Sequence, residues 1–517
     1  MNKRNRLWQR LLALAIGSMV LAIFGATIAH AADPSAIHPV SATASHLLAQ
    51  ATPPPAPTVE SVDAKATTLI VGLDTVWVLL TGFLVFFMQT GFAILETGLV
   101  RQRGAVNALL ENFIDAGLTA IVFWAVGFGI AFGTSSGGFI GTNNFFLNDA
   151  MTMTNGAITY AMGAVVVDGA PTYAPNINTL TLFFFQFAFA ATASTITTGS
   201  MAGRTDFVGD LIYSAIMGAI SYPIIVHWAW NPSGWLAAKG FLDFAGSAVV
   251  HTVGGVTALV GAYILGPRPN RPPWGTLPPA HNLGLATLGT MILWFGWYGF
   301  NPGSTLGVGN TGLIGLVCLN TTLAAGAAAM TTLIFQYFRS KKWDLVYCLN
   351  GSLAGLVGVT AGCAFVAPWA SIVIGITAGI LVVVVVDVIE AVKIDDPVGA
   401  FAVHGSCGMM GTLAIGFLGE PGLIPGGKAG LLRGGGVDIL LWQTIGILAI
   451  VAFTAVFTFV MFSVLNAVGR LRVAAKADEI GIDFYEHGAS IWPDVYTMDD
   501  LGSEDDIKPA EVSPIGD

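Results

Sequence analysis

Charge is scarce in this chain of 517 residues: Asp, Glu, Lys and Arg together make up 10% of it, whereas 54% is hydrophobic. A soluble globule of this size needs more charge to cover its surface, so that class is excluded and a polytopic helical membrane protein is indicated. Cysteine is nearly missing too. Cys318, Cys348, Cys363 and Cys407 each stand alone in an apolar run, which excludes a disulfide framework or a metal-binding spacing and leaves buried, reduced, small hydrophobes. No metal triad and no activated nucleophile can be found, so an enzyme, a metal centre and a cofactor are not expected. Lys and Arg are wholly absent from the 45 residues between Gly133 and Ile177.

The charge that is present sits at the ends. The formal net charge is −10, but twelve acidic residues from Asp478 to Asp517 oppose only Lys508, a net of 1 − 12 = −11. The remainder is therefore near neutral. At the start, Lys3, Arg4, Arg6 and Arg10 precede an apolar run and Ala29-His30-Ala31, the pattern of a cleaved signal peptide over 1–31, with an uncleaved anchor as the alternative. Residues 32–68, with Pro53, Pro54, Pro55 and Pro57, read as an exported, disordered lead-in. A membrane domain over 69–470 and a cytoplasmic acidic regulatory tail over 471–517 complete the organisation.

Eleven apolar stretches have spanning length, near 72–97, 105–133, 179–199, 207–230, 243–265, 281–301, 309–337, 345–365, 368–390, 397–418 and 437–467. With the signal removed the mature N-terminus is outside, and an odd count puts the tail in the cytoplasm. Basic residues agree: the loops expected inside carry Arg101, Arg103, Arg204, Arg268, Arg271, Arg339, Lys341, Lys342 and Lys393, whereas the outer ones have only Lys239, Lys428 and Arg433. Gly351-x-x-x-Gly355 and Gly358-x-x-x-Gly362 indicate close helix packing.

One pattern occurs twice: Asp243-x-x-Gly246-x-x-x-Val250-His251-x-x-x-Gly255 and Asp396-x-x-Gly399-x-x-x-Val403-His404-x-x-x-Gly408. The copies fall in the fifth and tenth spans and so run in opposite directions, an inverted repeat of five plus five helices with an extra eleventh. Each histidine lies eight residues beyond its aspartate, about 12 Å deep at 1.5 Å per residue, so the two rings can meet near the middle of a ~30 Å core. A single membrane histidine is as readily explained by a bond to a nearby carbonyl. Two at equivalent places point to one paired site. In apolar surroundings, desolvation and mutual repulsion favour neutral rings, which suit a neutral or transiently deprotonated guest. Aromatic residues cluster at the outer ends of the fourth and sixth spans, Trp228 and Trp230 in one and Trp294 to Phe300 in the other. They fit an interfacial belt, or a cation site with a serine hydroxyl nearby.

Five ordered segments resemble the ammonium transporter (Amt/Mep/Rh) superfamily. They are Asp74-Thr-Val-Trp-Val-Leu-Leu, Glu96-Thr-Gly-Leu-Val-Arg101, Leu242-Asp-Phe-Ala-Gly246 with Val249-Val-His251, Gly296-Trp-Tyr-Gly-Phe-Asn-Pro-Gly-Ser304, and Asp395-Asp-Pro with Val403-His-Gly405. The likeness runs from about residue 70 to 490 and is to bacterial Amt-type members. It implies an all-α homotrimer of eleven-helix protomers, each with its own pore, in the bacterial plasma membrane. Residue by residue, it implies that Trp230, Ser304 and Phe189 recruit ammonium, that Phe189 and Phe300 form a phenyl gate, that His251 and His404 are the pore pair, and that Asp243 supports helix ends and loop backbone.

Ammonium and methylammonium are the implied substrates, lipids the surroundings, and a PII-type signalling protein a partner of the tail, where Asp483, His487 and Gly488 match the regulatory segment. No nucleic-acid partner is expected. Glu96-Thr97 departs from the Tyr-Gly or Gly-Gly of many bacterial members, with Arg101 or Arg103 as a partner for the carboxylate. An ammonium sensor that signals through its tail and a neutral-gas channel of the Rh type are the rival readings. Trp230 and Ser304 weigh against the second.

Overall fold

The computed structural model describes residues 58–167, 170–269 and 271–492. The chain divides into a short unit, Met1–Lys65, and a main unit, Ala66–Asp517. The expected signal peptide lies outside the described residues. In the short unit the Thr58 hydroxyl accepts the Ser61 N–H at 3.1 Å, capping the first turn of a helix.

Helix α1 (Val59–Leu99) begins inside the segment expected to be a disordered lead-in, which is thereby corrected over its last ten residues. Its first turns carry Glu60, Asp63 and Lys65, so hydropathy detects only the later, apolar part. There follow α2 (Gln102–Phe132), α3 (Thr179–Met201), α4 (Phe207–Ala229), α5 (Ser247–Leu265), α6 (Leu283–Gly303), α7 (Thr311–Ser340), α8 (Leu345–Thr360), α9 (Pro368–Ala391), α10 (Phe401–Leu418) and α11 (Asp438–Ala467). Ten of these, among the described residues, are long and apolar enough to cross a membrane. The other is α8, whose 16 residues span about 24 Å. This is the all-α polytopic bundle expected. Two short helices, α12 (Ala475–Ile480) and α13 (Ile482–His487), lie in the tail.

The long segment after α2 is not a plain loop. Strands β1 (Ser135–Ser136) and β2 (Ile140–Gly141) pair, as do β3 (Met151–Thr154) with β4 (Ala157–Tyr160) and β5 (Met162–Val167) with β6 (Ala170–Asn178), all antiparallel. The Asn155-Gly156 turn between β3 and β4 has φ of 52° and 77°, the left-handed pair a two-residue hairpin needs. These hairpins mark one end of the bundle and the tail marks the other.

Small residues bring the helices together as their spacing predicts. A Cβ at Gly355 of α8 would collide with the Ala324 carbonyl of α7, and the Thr332 hydroxyl of α7 donates to Gly379 O of α9 at 2.8 Å. At the tail end Arg268 makes a two-pronged ion pair with Asp395, at 2.8 and 2.9 Å. Burial alone would raise the Asp395 carboxyl, but Arg268 and Arg204 hold it down at about 2. The tail docks at this end too: Asp483 accepts the N–H groups of Val106 and Asn107 at 2.9 and 2.8 Å, and His487 Nε2 donates to Asn107 Oδ1 at 2.9 Å.

Candidate functional site

The two repeats enter the bundle in the same way. Asp243 precedes α5 and its carboxylate accepts four backbone N–H groups, from Gly246, Ser247, Ala248 and Val249, at 2.8 to 3.0 Å. Asp396 precedes α10 and accepts three, from Gly399, Ala400 and Phe401. Gly246 and Gly399, at φ 111° and 76°, turn the chain into each helix in a conformation that only glycine adopts freely. The Asp243 carboxylate thus accepts the backbone N–H groups that the start of α5 would otherwise leave without a helical partner.

Each helix then opens with a wide turn, over Ser247–Thr252 and Phe401–Ser406, in which bonds reach five residues back; His251 N–H donates to Gly246 O at 3.0 Å. Such turns concentrate at functional sites. Each contains its histidine. The last glycine of each motif lets the repeats cross: a Cβ at Gly255 would strike the backbone of Gly405, and one at Gly408 would strike Ser247 O.

At the crossing the Nδ1 atoms of His251 and His404 are 3.1 Å apart, so one Nδ1–H donates to the other's lone pair and each ring turns its Nε2 elsewhere. Both residues are buried, and His251 Nε2 has no protein partner. The rings continue a column. Phe300 stacks on His251 with centroids 5.3 Å apart, Phe189 on Phe300 at 4.1 Å, and Trp230 meets the edge of Phe189 at 6.1 Å. The indole of Trp230 donates to Asp243 O at 2.7 Å, which ties the head of the column to the cap of α5. Ser304 lies one turn beyond Phe300 and donates to its carbonyl at 2.8 Å. Thus Trp230, Phe189, Phe300, His251 and His404 form one file, with Ser304 beside its open end.

Sequence reasoning missed three parts. Trp297, one turn from Phe300, is fully buried, stacks on His251 at 5.1 Å and donates to Thr360 at 2.9 Å, so it forms a wall of the histidine site. The i, i+3 spacing in Trp297-Tyr-Gly-Phe300 was the available signal. Asp74 accepts the Val308 N–H at 2.7 Å and Trp77 donates to Thr305 at 3.0 Å, so the first motif holds the loop after Ser304. Glu96 is the third. Neither Arg101 nor Arg103 is its partner: its carboxylate accepts Asn112 Nδ2 at 2.9 Å and the Thr198 hydroxyl at 3.0 and 3.1 Å. Both arginines lie past the end of α1 and donate to carbonyls, of Pro269 and Glu479.

Below His404 the file ends in a cavity of ≈ 20 Å³, with room for a single water, whose lining includes Phe92, Glu96, Asn350, Val398 and His404. Asn350 and Val398 also line a vestibule of ≈ 200 Å³ at the tail end, beside Asp344, Glu390 and Asp396. The arrangement is a buried file of rings inside a bundle of membrane-length helices, with a small cavity below its histidine end.

That defines a class, polytopic helical membrane proteins with a buried file of rings inside the chain, and comparison with known proteins specifies which. A model of the Ammonium Transporter Family matches residues 76–491, and the chain belongs to that family. Ammonium transporter Amt2 of Archaeoglobus fulgidus is 39% identical over 441 residues, covering 81% of this chain and 88% of that protein. Ammonium transporter 1 member 2 of Oryza sativa is 36% identical over 440 residues, covering 79% and 84%. Among solved structures, a protein described as Sensor Amt Protein superposes with TM-score 0.72 at 36% identity, over 81% of this chain and 99% of that one. Mep2 of Candida albicans gives 0.71 at 28% identity, over 80% and 89%.

Proposed function

We propose that the chain conducts ammonium inward across a bacterial plasma membrane, with the hairpin end outside and the tail in the cytoplasm, as a homotrimer. Ammonium is held as the cation between the face of Trp230, Phe189 and the Ser304 hydroxyl, where ring faces attract a partly desolvated cation. It loses its proton before or within the gate formed by Phe189 and Phe300. Ammonia then passes along His251 and His404. Methylammonium is the second substrate, and the tail answers to a PII-type signalling protein. A signal peptide over 1–31 directs export of the residues that follow it.

The observation that carries this reading is the pair of imidazoles joined Nδ1 to Nδ1 at 3.1 Å, at the foot of an unbroken ring column. Two neutral rings bonded to each other present one lone pair and one N–H to a guest, which suits ammonia. They cannot replace the water shell of a retained cation. The test is the current from reconstituted protein after an ammonium jump, together with ammonia entry followed by internal pH. Ammonium should drive a saturable response and potassium none. A chain that binds ammonium but moves neither species would favour the sensor.

A further inference from the structure

Behind the cavity below His404 lies a polar cluster to which the transport reading gives no part. Glu96 of α1 faces Glu111 and Asp115 of α2 and Asp210 of α4, and all four are at most 2% exposed. Among the described residues none of the four is in an ion pair, and no group of His, Cys, Asp and Glu there could hold a metal ion. Four carboxylates cannot all stay charged in such surroundings without a cation, so the cluster holds protons. Its remaining members are hydroxyls and amides: Thr198 on Glu96, Tyr213 beside Asp210, Ser194 on Asp115 at 3.5 Å and Asn107 beside Glu111. The cluster is also incompletely bonded. Neither oxygen of Glu111 meets a donor at bonding distance, and neither does either oxygen of Asp210.

The two ends of this cluster give it a direction. One is Glu96, which shares the ≈ 20 Å³ cavity with His404. The other is Asn107, which stands beside Glu111, accepts His487 Nε2 and donates its own N–H to Asp483. The cluster therefore runs from the passage to the place where the tail docks. The vestibule that continues the passage leaves on another side, past Asn350 and Val398.

We propose that Glu96, with Glu111, Asp115 and Asp210 behind it, is a proton exit that branches from the passage below His404 and opens under the docked tail, apart from the vestibule by which ammonia leaves. It rests on the transport reading. A proton carried as hydronium by a water entering the cavity passes to the Glu96 carboxylate, giving water and a carboxylic acid. The acid hands a proton to the next carboxylate and is restored as an anion, and the last member releases a proton to the cytoplasm. No bond other than O–H forms or breaks. Proton and ammonia, separated at the gate, thus leave the passage by different routes below His404 and rejoin outside the protein.

The test uses the full chain in proteoliposomes, reading the current after an ammonium jump and, separately, ammonia entry from internal alkalinisation. Glu96→Gln and Glu111→Gln should each lower the ammonium current at least tenfold, and Glu111→Gln, which lines neither cavity, should keep ammonia entry within twofold of wild type. Both variants retaining the current within twofold overturns the exit, as does a wild type that passes ammonia without current. Should Glu96→Gln fail to assemble, Glu111→Gln decides between the same results. Loss of both readouts together in Glu111→Gln shows a structural role and also overturns it. A wild type that moves neither ammonia nor charge overturns the transport reading itself.

Discussion

Asp243→Asn and Asp396→Asn form an experiment with an internal control, because the two aspartates do the same work in opposite halves with different numbers of bonds. An asparagine has one acceptor oxygen, and its amide nitrogen can only donate. At 243 each carboxylate oxygen serves two N–H groups, so either orientation of an asparagine turns two backbone donors toward an NH₂ group. At 396 one oxygen serves Gly399 and Ala400 and the other serves only Phe401, so an asparagine can keep two bonds and lose one. A hydrogen bond to a charged group contributes about 1.5–3 kcal/mol, which makes the loss about 3–6 kcal/mol at 243 and about half that at 396. Asp243 is also 6% exposed, leaving little access for water to repair the damage. Half-inactivation temperatures of the purified variants in one detergent should fall much further for Asp243→Asn. Ammonium flux should fall further too, because the Trp230 indole hangs from the Asp243 carbonyl. Equal losses, or a larger one at 396, would refute the assignment of these carboxylates as unequal caps.

Trp230→Leu with Ser304→Ala should raise the half-saturating ammonium concentration roughly 30-fold, from about 2 kcal/mol of cation–ring attraction, while ammonia passage at high concentration persists; unchanged half-saturation removes the outer site. His251→Asp should pass potassium as well as ammonium, since a carboxylate offers a hydrated cation a partner, whereas His404→Ala should only lower ammonium flux. Currents under matched gradients decide, and a His251→Asp channel that rejects potassium would place selectivity in the phenyl rings. The Asp395 carboxyl is held at about 2 against an ordinary 3.8, so its stabilising contribution, about 2 kcal/mol, is complete above pH 4 and fades as pH falls through 2. Asp395→Asn should accordingly be less heat-stable than wild type at pH 7 and nearly equal to it at pH 2, as read by thermal inactivation in detergent.

The repeated motif made the inverted repeat and the histidine pair legible without coordinates, because spacing alone determines which helix and which depth a residue occupies. Other parts were hidden for particular reasons. The partners of Glu96 come from α2 and α3, and chain proximity to Arg101 was a poor guide once α1 ended at Leu99. The hairpins after α2 did leave a signal in Asn155-Gly156, which hydropathy and charge counting do not register. The start of α1 was invisible to hydropathy because its first turns are polar. The roles of Asp74 and Trp77 depend on a contact with residues more than 200 positions away, and no local pattern announces that.

The crossing of α5 and α10 at Gly255 and Gly408 also sets an order of birth. His251 and His404 are 153 residues apart, so at about 5–20 residues per second the second ring is made roughly 8–30 s after the first. Through that interval α5 stands with its wide turn open, its histidine unpaired and its glycine notch unfilled. Neither half can build a passage alone, and a chain halted after α9 has every outer ring in place and nothing for them to lead to. The histidine pair is thus completed late, by a helix that must be threaded against one already waiting in the membrane, with only α11 still to follow.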